Sequence, residues 1–215
     1  MIALDILADP VCPFCLIGYE RLRRALAERP GHPFQLAWHP FQLNPSMPRE
    51  GMARADYLQA KFGQDGAVKM HQQLLEIAAS DALPLDPLKV LRQPNTLDAL
   101  RLVYWAGLEE KATAVMEGVM AAHWYEGRDI GDPRELVRIA QAAGLDGTMI
   151  GRLLASDADC DTIASRDAHA RERGITAVPT FIVANTHAIT GAQPKELWLK
   201  VIDELSGAPS DAILN

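Results

Sequence analysis

The sequence predicts an α/β fold that is interrupted by a large all-helical segment, and three observations lead to this class. A strand-like apolar run at residues 2–7 leads directly into a Cys-x-x-Cys motif, which opens an amphipathic helical stretch. Residues 51–156 have helical periodicity and contain no convincing strand. Near the C-terminus, residues 180–183 and 187–190 have the character of short strands, and a last helix follows them.

The first predicted helix extends from about Cys12 to Glu28, and Pro30-Gly31 ends it. Its apolar residues recur on one face of the helix and are expected to turn toward a core. They are Leu16, Tyr19, Leu22 and Leu26. A second strand is predicted at residues 34–39, after which the prolines of residues 40–49 indicate a linker that leaves this first unit.

The helical segment has starts and stops that can be recognised in the sequence. The sequence Asp132-Pro133-Arg134-Glu135 has the pattern of a capping box with proline at the first helical position. Gly144 indicates the end of that helix. The clearest apolar stripe of the segment consists of Val115, Met116, Val119, Met120 and His123.

The remaining elements return to the first unit. A helix is predicted from near Asp159 to Gly174, and the last helix begins at Pro194. We therefore expect residues 1–45 and 160–215 to form one α/β domain, and residues 46–159 to form a helical insertion domain.

Length and composition limit the classes of protein to consider. With 215 residues and 48% hydrophobic content, the chain can bury a substantial core, and it is too short for two full domains of ordinary size. The net charge of −7, without a cluster of Lys or Arg, argues against a nucleic-acid partner. No apolar run approaches the length of a membrane span.

The cysteine count and the N-terminus indicate a compartment. Three cysteines, an odd number, fit a reducing environment better than a secreted fold held by disulfides. Met1 leads into residues 2–7 without a basic start, an apolar run of signal length or a small-residue cleavage site. We therefore expect a cytoplasmic protein, provided that no leader peptide has been removed.

The motif Cys12-Pro13-Phe14-Cys15 predicts a pair of thiols that acts in redox chemistry. A cysteine at the first turn of a helix faces unpaired backbone N–H groups and the positive end of the helix dipole, which favour its thiolate. Cys12 can therefore attack a disulfide, and Cys15, three residues on along the same helix face, can resolve the mixed disulfide. Pro13 suits a helix start, and because Phe14 adds no charge we expect moderate activation.

Two other uses of a Cys-x-x-Cys motif fit the sequence less well. A zinc site needs two further ligands, and the rest of the chain offers only Cys160 and six scattered histidines. A static structural disulfide closes too short a loop to contribute much stability. We therefore expect no metal, and thiol–disulfide exchange needs no bound organic cofactor.

Several motifs together resemble a known family. A strand before Cys-x-x-Cys, a helix after it and the sequence Val178-Pro179-Thr180-Phe181 resemble the thioredoxin fold, and the helical block resembles its DsbA-like variant. Further motifs are similar to the FrnE-like branch of the DsbA-family dithiol oxidoreductases. They are Asp9-Pro10-Val11-Cys12-Pro13-Phe14-Cys15, Pro40-Phe41-Gln42-Leu43-Asn44-Pro45, Pro94-Asn95-Thr96-Leu97, Glu126-Gly127-Arg128-Asp129-Ile130 and Gly191-Ala192-Gln193-Pro194, and they span nearly the whole chain.

This resemblance implies a thioredoxin-like domain with a DsbA-like insertion and a role for Pro179. It implies that Pro179 is cis and lies beside Cys12, which leaves the backbone of Val178 open to pair with an extended substrate. An ordinary trans proline at the start of a strand is the alternative. The implied activity is thiol–disulfide oxidoreduction on a protein or small-molecule disulfide, with glutathione or another thiol as a candidate partner.

Two carboxylates and two amides are further candidates. Asp5, in the first strand, and Asp9, three residues before Cys12, could move protons to or from Cys15, although a solvated or capping carboxylate is the favoured alternative for each. Asn44 and Asn95 recur in the family-like motifs and could line a cleft, with turn or cap roles as the alternative.

The third cysteine and the histidines have plainer interpretations. Cys160 falls on a stripe with Ile163 and Ala164, which favours a buried, inert thiol over a third redox centre. His39 and His123 lie on apolar patterns and are interpreted as core or surface residues.

Two other function classes stay open beside the oxidoreductase. The same fold resembles the glutathione-dependent kappa-class transferases and the 2-hydroxychromene-2-carboxylate isomerases. In those enzymes a lone Ser commonly replaces the dithiol, and a Ser-Asp pair near the last helix holds glutathione. The corresponding position here is Ala192-Gln193, which argues against that class. The third class is a binding module whose helical insertion holds a partner protein without catalysis.

Overall fold

A computed structural model describes residues 1–207 of the chain. Strands and helices follow one another in an order close to that predicted. They are β1 Ile2–Ala8, α1 Pro13–Glu28, β2 Phe34–Pro40, β3 Met52–Ala53, α2 Arg54–Ser80, β4 Arg92–Gln93, α3 Leu97–Gly107, α4 Ala112–Trp124, α5 Pro133–Ala142, α6 Gly147–Leu154, α7 Cys160–Glu172, β5 Thr180–Val183, β6 His187–Thr190 and α8 Lys195–Leu205.

A four-stranded sheet in the order β2-β1-β5-β6 forms the centre of the molecule. β2 pairs parallel to β1, whereas β5 and β6 are antiparallel to their neighbours. In β1, Leu4 and Ile6 are fully buried on one face, because successive side chains of a strand point to opposite sides. α1 and α8 pack against each other, and Trp198 of α8 meets Phe181 of β5 edge to face at 4.8 Å.

The helices between β2 and α7 share their core with the sheet. α3 and α4 pack against each other and against β2, and the predicted apolar stripe of α4 is buried along its whole length. The predicted fold class, α/β with a large helical segment, is therefore confirmed. Residues 208–215 of the predicted domain 160–215 lie outside the described residues, and the boundary between the two predicted domains stays a prediction.

Two details of the sequence analysis are corrected. Residues 51–156 are not free of strands, because β3 pairs antiparallel with β4, and two-residue strands are too short to produce a visible alternation. Asp132 caps α5 through the backbone N–H of Arg134, but Glu135 does not complete the capping box. It is buried and instead forms ion pairs with Arg128 and Arg138.

In the part of the chain that the structure describes, no helix is both long enough and apolar enough to cross a membrane.

Candidate active site

Cys12 is the residue that caps the N-terminus of α1. Its backbone is extended (φ −85°, ψ 115°), and its carbonyl accepts the first hydrogen bond of the helix from Cys15 N at 3.0 Å. Pro13 occupies the first turn, where a missing N–H costs nothing. The Cys12 sulfur therefore lies at the positive end of the helix dipole, as predicted.

The Val178–Pro179 peptide bond is cis, as the resemblance implies, and it lies beside Cys12. The Cys12 thiol donates to the carbonyl oxygen of Val178 at 3.6 Å. Gly18 of α1 permits this approach, because a Cβ there would lie 3.0 Å from Pro179 Cγ and 3.2 Å from the Cα of Ala192. The sequence analysis did not single out Gly18.

Cys15 lies beneath Cys12 and is more deeply buried, with 1% of its surface exposed against 4% for Cys12. The two sulfurs are close but not bonded. Burial raises the pKa of the Cys15 thiol well above its usual value, and a hydrogen bond with Cys12 raises it further. Cys15 is therefore held as a protonated thiol.

Asp9 provides a buried carboxyl group beside this pair. It accepts hydrogen bonds from Leu43 N at 2.7 Å, Val11 N at 3.2 Å and Thr96 Oγ1 at 3.4 Å. Burial outweighs these bonds and raises the pKa of Asp9 to about 6, and its charge adds to the raised pKa of Cys15. The favoured expectation for Asp9, a solvated or capping carboxylate, is wrong: the side chain is fully buried, and Cys12 occupies the cap.

A second carboxylate supports the segment that holds Asp9. Asp167 of α7 accepts from Gln42 N at 2.8 Å and from Arg171 Nε at 2.8 Å. The Arg171 guanidinium lies over the ring of Phe41, 4.1 Å from its centre. The negative charge of Asp167 also contributes to the raised pKa of Asp9. The sequence signal was only the i,i+4 spacing of Asp167 and Arg171, which is common on exposed helices.

The helical segment also contacts the loop before Cys12. Trp124 of α4 is fully buried, and its indole N–H donates to the carbonyl oxygen of Pro10 at 3.0 Å. Arg54 stacks over the Trp124 ring at 4.9 Å and is itself buried. No feature of the sequence connected Trp124 with the cysteine motif.

The remaining candidates fall into two groups. Asn44 hydrogen-bonds with Tyr57 at 3.1 Å, and Asn95 accepts from Leu97 N at 2.9 Å and donates to Met47 O at 2.6 Å. The bond from Leu97 N to Asn95 is a local turn contact of the alternative interpretation, whereas the bond of Asn44 joins it to a side chain of α2. Phe14 is partly buried and packs against the core, close to the cysteine pair.

Asp5 and Cys160 lie apart from the cysteine pair. Asp5 hydrogen-bonds with His39 at 2.6 Å and lines a cleft that includes neither Cys12 nor Cys15. Cys160 is partly exposed rather than buried, and Ala164, which was expected to share its core face, is exposed. Cys160 is the first residue of α7, which begins at the surface. It therefore has fewer neighbours than a residue on the same stripe within the helix.

Within residues 1–207, no group of three or more His, Cys, Asp or Glu side chains has the geometry to hold a metal ion.

Comparison with solved structures places this fold among known proteins. A probable DsbA oxidoreductase of Streptomyces coelicolor, SCO1869, is 25% identical to this chain. The TM-score is 0.84, and the alignment covers 100% of this chain and 94% of the other. A 2-hydroxychromene-2-carboxylate isomerase is 19% identical, with a TM-score of 0.73 over 97% and 98% of the two chains.

A third similar structure is the cytosolic disulfide reductase DsbM of Pseudomonas aeruginosa, in a form with GSH. It is 19% identical, with a TM-score of 0.68 over 95% of this chain and 99% of the other. The family model described as a DSBA-like thioredoxin domain matches residues 3–203. With its sheet, its helical insertion and this match across nearly all its length, the chain belongs to the DsbA-like thioredoxin family.

Proposed function

We propose that the protein is a thiol–disulfide oxidoreductase in which Cys12 is the nucleophile and Cys15 resolves the intermediate. The observation that carries this proposal is the asymmetry of the pair. Cys12 caps α1 and contacts the carbonyl of Val178, whereas Cys15 is buried beneath it with a raised pKa. A nucleophile needs the thiolate-favouring position, and a resolving thiol needs to stay protonated until the mixed disulfide has formed.

The reaction proceeds in two exchange steps. The Cys12 thiolate attacks one sulfur of the substrate disulfide, which forms a mixed disulfide and releases the other substrate sulfur as a thiolate. Cys15 then loses its proton and attacks Cys12 Sγ, which forms the Cys12–Cys15 disulfide and releases the second substrate thiol. The substrate gains two electrons and the protein loses two, and a dithiol or glutathione returns the protein to its reduced form.

Asp9 is the group we propose to accept the proton of Cys15. It is the buried carboxyl next to the pair, and a raised pKa near 6 allows it to take up and release a proton at neutral pH. Its three hydrogen bonds, from Val11, Leu43 and Thr96, fix the position of the carboxyl without using the thiols.

Val178 and Pro179 are proposed to position the substrate. Both are buried immediately before β5, and the Val178 carbonyl that contacts the Cys12 thiol is also a backbone acceptor for an extended substrate. A disulfide-containing protein or small molecule is the proposed substrate, and the cytoplasm is the proposed compartment. The cysteine usage of this chain and the description of DsbM as a cytosolic reductase support that location.

A glutathione-dependent isomerase or transferase is the second candidate, because a 2-hydroxychromene-2-carboxylate isomerase has the same fold. The residues at the expected glutathione position, Ala192 and Gln193, follow Gly191, whose N–H donates to Pro179 O at 2.7 Å. This loop is therefore beside Pro179, but it lacks the Ser-Asp pair of that class. The complete cysteine pair favours the oxidoreductase.

Reduction of insulin disulfides in the presence of dithiothreitol tests the proposal. The wild-type protein should accelerate the reaction, Cys12→Ser should abolish the acceleration, and Cys160→Ser should leave it unchanged because Cys160 lies apart from the pair. Retained activity in Cys12→Ser would refute the assigned nucleophile. Saturable glutathione binding that survives Cys15→Ala, without any reductase activity in the wild type, would favour the isomerase class.

A further inference from the structure

A cleft of about 610 Å³ lies on the face of the sheet opposite α1 and α8. Its floor follows the register of the strands: Asp5 of β1, Ile182 of β5 and Ala188 of β6 form one row, and Leu7 of β1 and His39 of β2 form the next. Along β1, Asp5 and Leu7 alternate with Leu4 and Ile6, which face α1. The side chains of the floor therefore point away from α1. The cleft is separate from the cysteine pair.

The wall above this floor is one face of α7 and the turn after it. Arg166, His169, Ala170 and Arg173 occupy positions i, i+3, i+4 and i+7, so they share one side of the helix and line the cleft. Ala170 is buried there, and the other three side chains are exposed. Ile175 adds an apolar side chain at the end of this wall. The cleft thus combines the apolar floor side chains Leu7, Ile182 and Ala188 with cationic groups along one side, and Asp5 and His39 are the polar members of the floor.

The guanidinium N–H groups of the two arginines in the wall are available to a ligand. Arg166 lies over the ring of Tyr104 at 4.7 Å, which holds its guanidinium without occupying its N–H groups. Within residues 1–207, neither Arg166 nor Arg173 has a carboxylate at salt-bridge distance. Most other arginines of this part of the chain are paired, including Arg21, Arg29, Arg101 and Arg128.

The charge of the cleft is opposite to that of the molecule. The chain carries a net charge of −7, whereas the cleft has two arginines and a single carboxylate, Asp5, which His39 engages at 2.6 Å. An anion in the cleft would meet guanidinium donors rather than the repulsion of the rest of the surface. The volume is in the range of sites for small molecules, about 300–1,000 Å³.

We infer that this cleft is a binding site for a small organic anion: an aromatic or other apolar body lies on Leu7, Ile182 and Ala188, and an anionic group pairs with Arg166 and Arg173. The site is distinct from the proposed active site and from the loop at Ala192 and Gln193. Its ligand is recognised by charge at one end and apolar area at the other.

Fluorescence titration with anilinonaphthalenesulfonate tests this inference, because the probe combines an aromatic body with one anionic group. N-phenylnaphthylamine, the same framework without the sulfonate, is the matched neutral probe. The folded wild-type protein should bind the sulfonate saturably at one site and at least about ten-fold more tightly than the neutral probe, the difference expected from charge-assisted hydrogen bonds.

Variants and spectroscopy locate the site. The double variant Arg166→Gln/Arg173→Gln should bind the sulfonate at least about ten-fold more weakly, and Arg152→Gln, an exposed arginine on α6, should bind like the wild type. The imidazole NMR signals of His39 and His169 should shift on binding, while that of His32 should not. Insulin reduction by the double variant should equal that of the wild type, since the cleft excludes both active-site cysteines.

Three results would overturn the inference. They are equal affinity for the charged and neutral probes, unchanged affinity in the double variant, and sulfonate binding that leaves the signals of His39 and His169 in place. Each of these results is independent of whether Cys12 and Cys15 exchange disulfides, so the inference and the proposed function fail separately.

Discussion

Cys12 and Cys15 are three residues apart, but different groups surround their sulfur atoms. The helix terminus and the Val178 carbonyl surround the first, whereas burial and the neighbouring Cys12 dominate the second. In the proposed reaction, the same helix turn therefore provides one thiol for the first attack and a second thiol that stays protonated until the resolving step. Removal of the Cys15 proton is the step of that reaction that needs a further group.

Replacement of Cys15 with Ser should trap the intermediate. Without the resolving thiol, the mixed disulfide between Cys12 and substrate has no intramolecular route to break down. A covalent adduct should accumulate on a non-reducing gel after incubation with an oxidised substrate, and dithiothreitol should release it. Cys12→Ser/Cys15→Ser is the control and should form no such adduct, and absence of the band in Cys15→Ser would contradict the resolving role.

Asp9→Asn should slow the resolving step and remove its pH dependence near the pKa of Asp9. In the wild type, the rate of mixed-disulfide breakdown should rise as Asp9 ionises, with a midpoint near pH 6. The variant lacks a proton acceptor, so its rate should fall about 10²-fold, at the lower end of general-base effects, and should show no step near this pH. Rapid-quench measurements from pH 5 to pH 8 provide the profile.

Stability measurements separate this role from a structural one. The folded-state pKa of Asp9, about 6, is above the ordinary value of 3.8, so the folded state holds the proton more tightly. The stabilisation that this group gives the folded state is present below about pH 4 and is lost as the pH rises through 6. The loss amounts to about 3 kcal/mol. The amide of Asp9→Asn does not titrate, so the free energy of unfolding of this variant relative to that of the wild type should rise by about 3 kcal/mol between pH 4 and pH 8. A rate loss that follows global unfolding instead would contradict the proton-acceptor role.

Among the helices, α4 shows what sequence periodicity can and cannot reveal. Its apolar stripe was predicted residue by residue and is buried, because an i, i+3, i+4 pattern specifies the face of a helix that turns inward. The pattern says nothing about the electrostatic surroundings of a polar residue within it. His123 is fully buried, and burial together with the positive charge of Arg54 lowers its pKa to about 3.

His123→Leu should protect the protein against acid. The depressed folded-state pKa means that the unfolded chain binds a proton first, so stability is full above about pH 6.5 and is lost as pH falls toward 3. The effect of removing the imidazole on the free energy of unfolding should therefore be more favourable at pH 5 than at pH 8. The difference between the two effects should be about 2 kcal/mol. Urea titrations at the two pH values measure this difference. An equal effect of the substitution at both pH values would place the titrating group elsewhere.

At the scale of the whole molecule, one arginine joins three parts of the chain. Arg21 of α1 donates to Asp81, which follows α2, at 2.6 Å and to the carbonyl of Ala192, before α8, at 2.8 Å. The ion pair is largely shielded from solvent, with 22% of the Arg21 side chain and 15% of the Asp81 side chain exposed. Charge-assisted bonds in such surroundings are stronger than those at an open surface.

Arg21→Gln should therefore lower the free energy of unfolding by about 1–3 kcal/mol, the range for hydrogen bonds between charged groups that lose their partner. Arg23→Gln is the matched control on the same helix: its side chain is 48% exposed and pairs with Glu20 at 2.8 Å, so it should lose less than about 1 kcal/mol. Thermal unfolding followed by circular dichroism compares the two. An equal loss in both variants would show that Arg21 does not tie these segments together.

The α/β class with its helical segment and the Cys-x-x-Cys motif were predictable because both depend on short-range patterns, whereas the thioredoxin-like fold was expected from the resemblance of several motifs to a known family. Strand alternation, helix periodicity and the spacing of two thiols are properties of neighbouring residues. The surroundings of Asp9 were not predictable, because its partners Leu43 and Thr96 come from distant parts of the chain. The same holds for the cleft below α7, since the register that aligns Asp5, Ile182 and Ala188 exists only once the strands have paired.

For the proposed redox pair, we expect the contact between Trp124 and Pro10 to provide an optical reporter of the oxidation state. An excited indole loses its emission to a nearby disulfide by electron transfer, and Trp124 is hydrogen-bonded to a residue two positions before Cys12. The other three tryptophans do not make this contact. We therefore expect the difference in emission between wild type and Trp124→Phe to follow the formation and reduction of the proposed Cys12–Cys15 disulfide without a label.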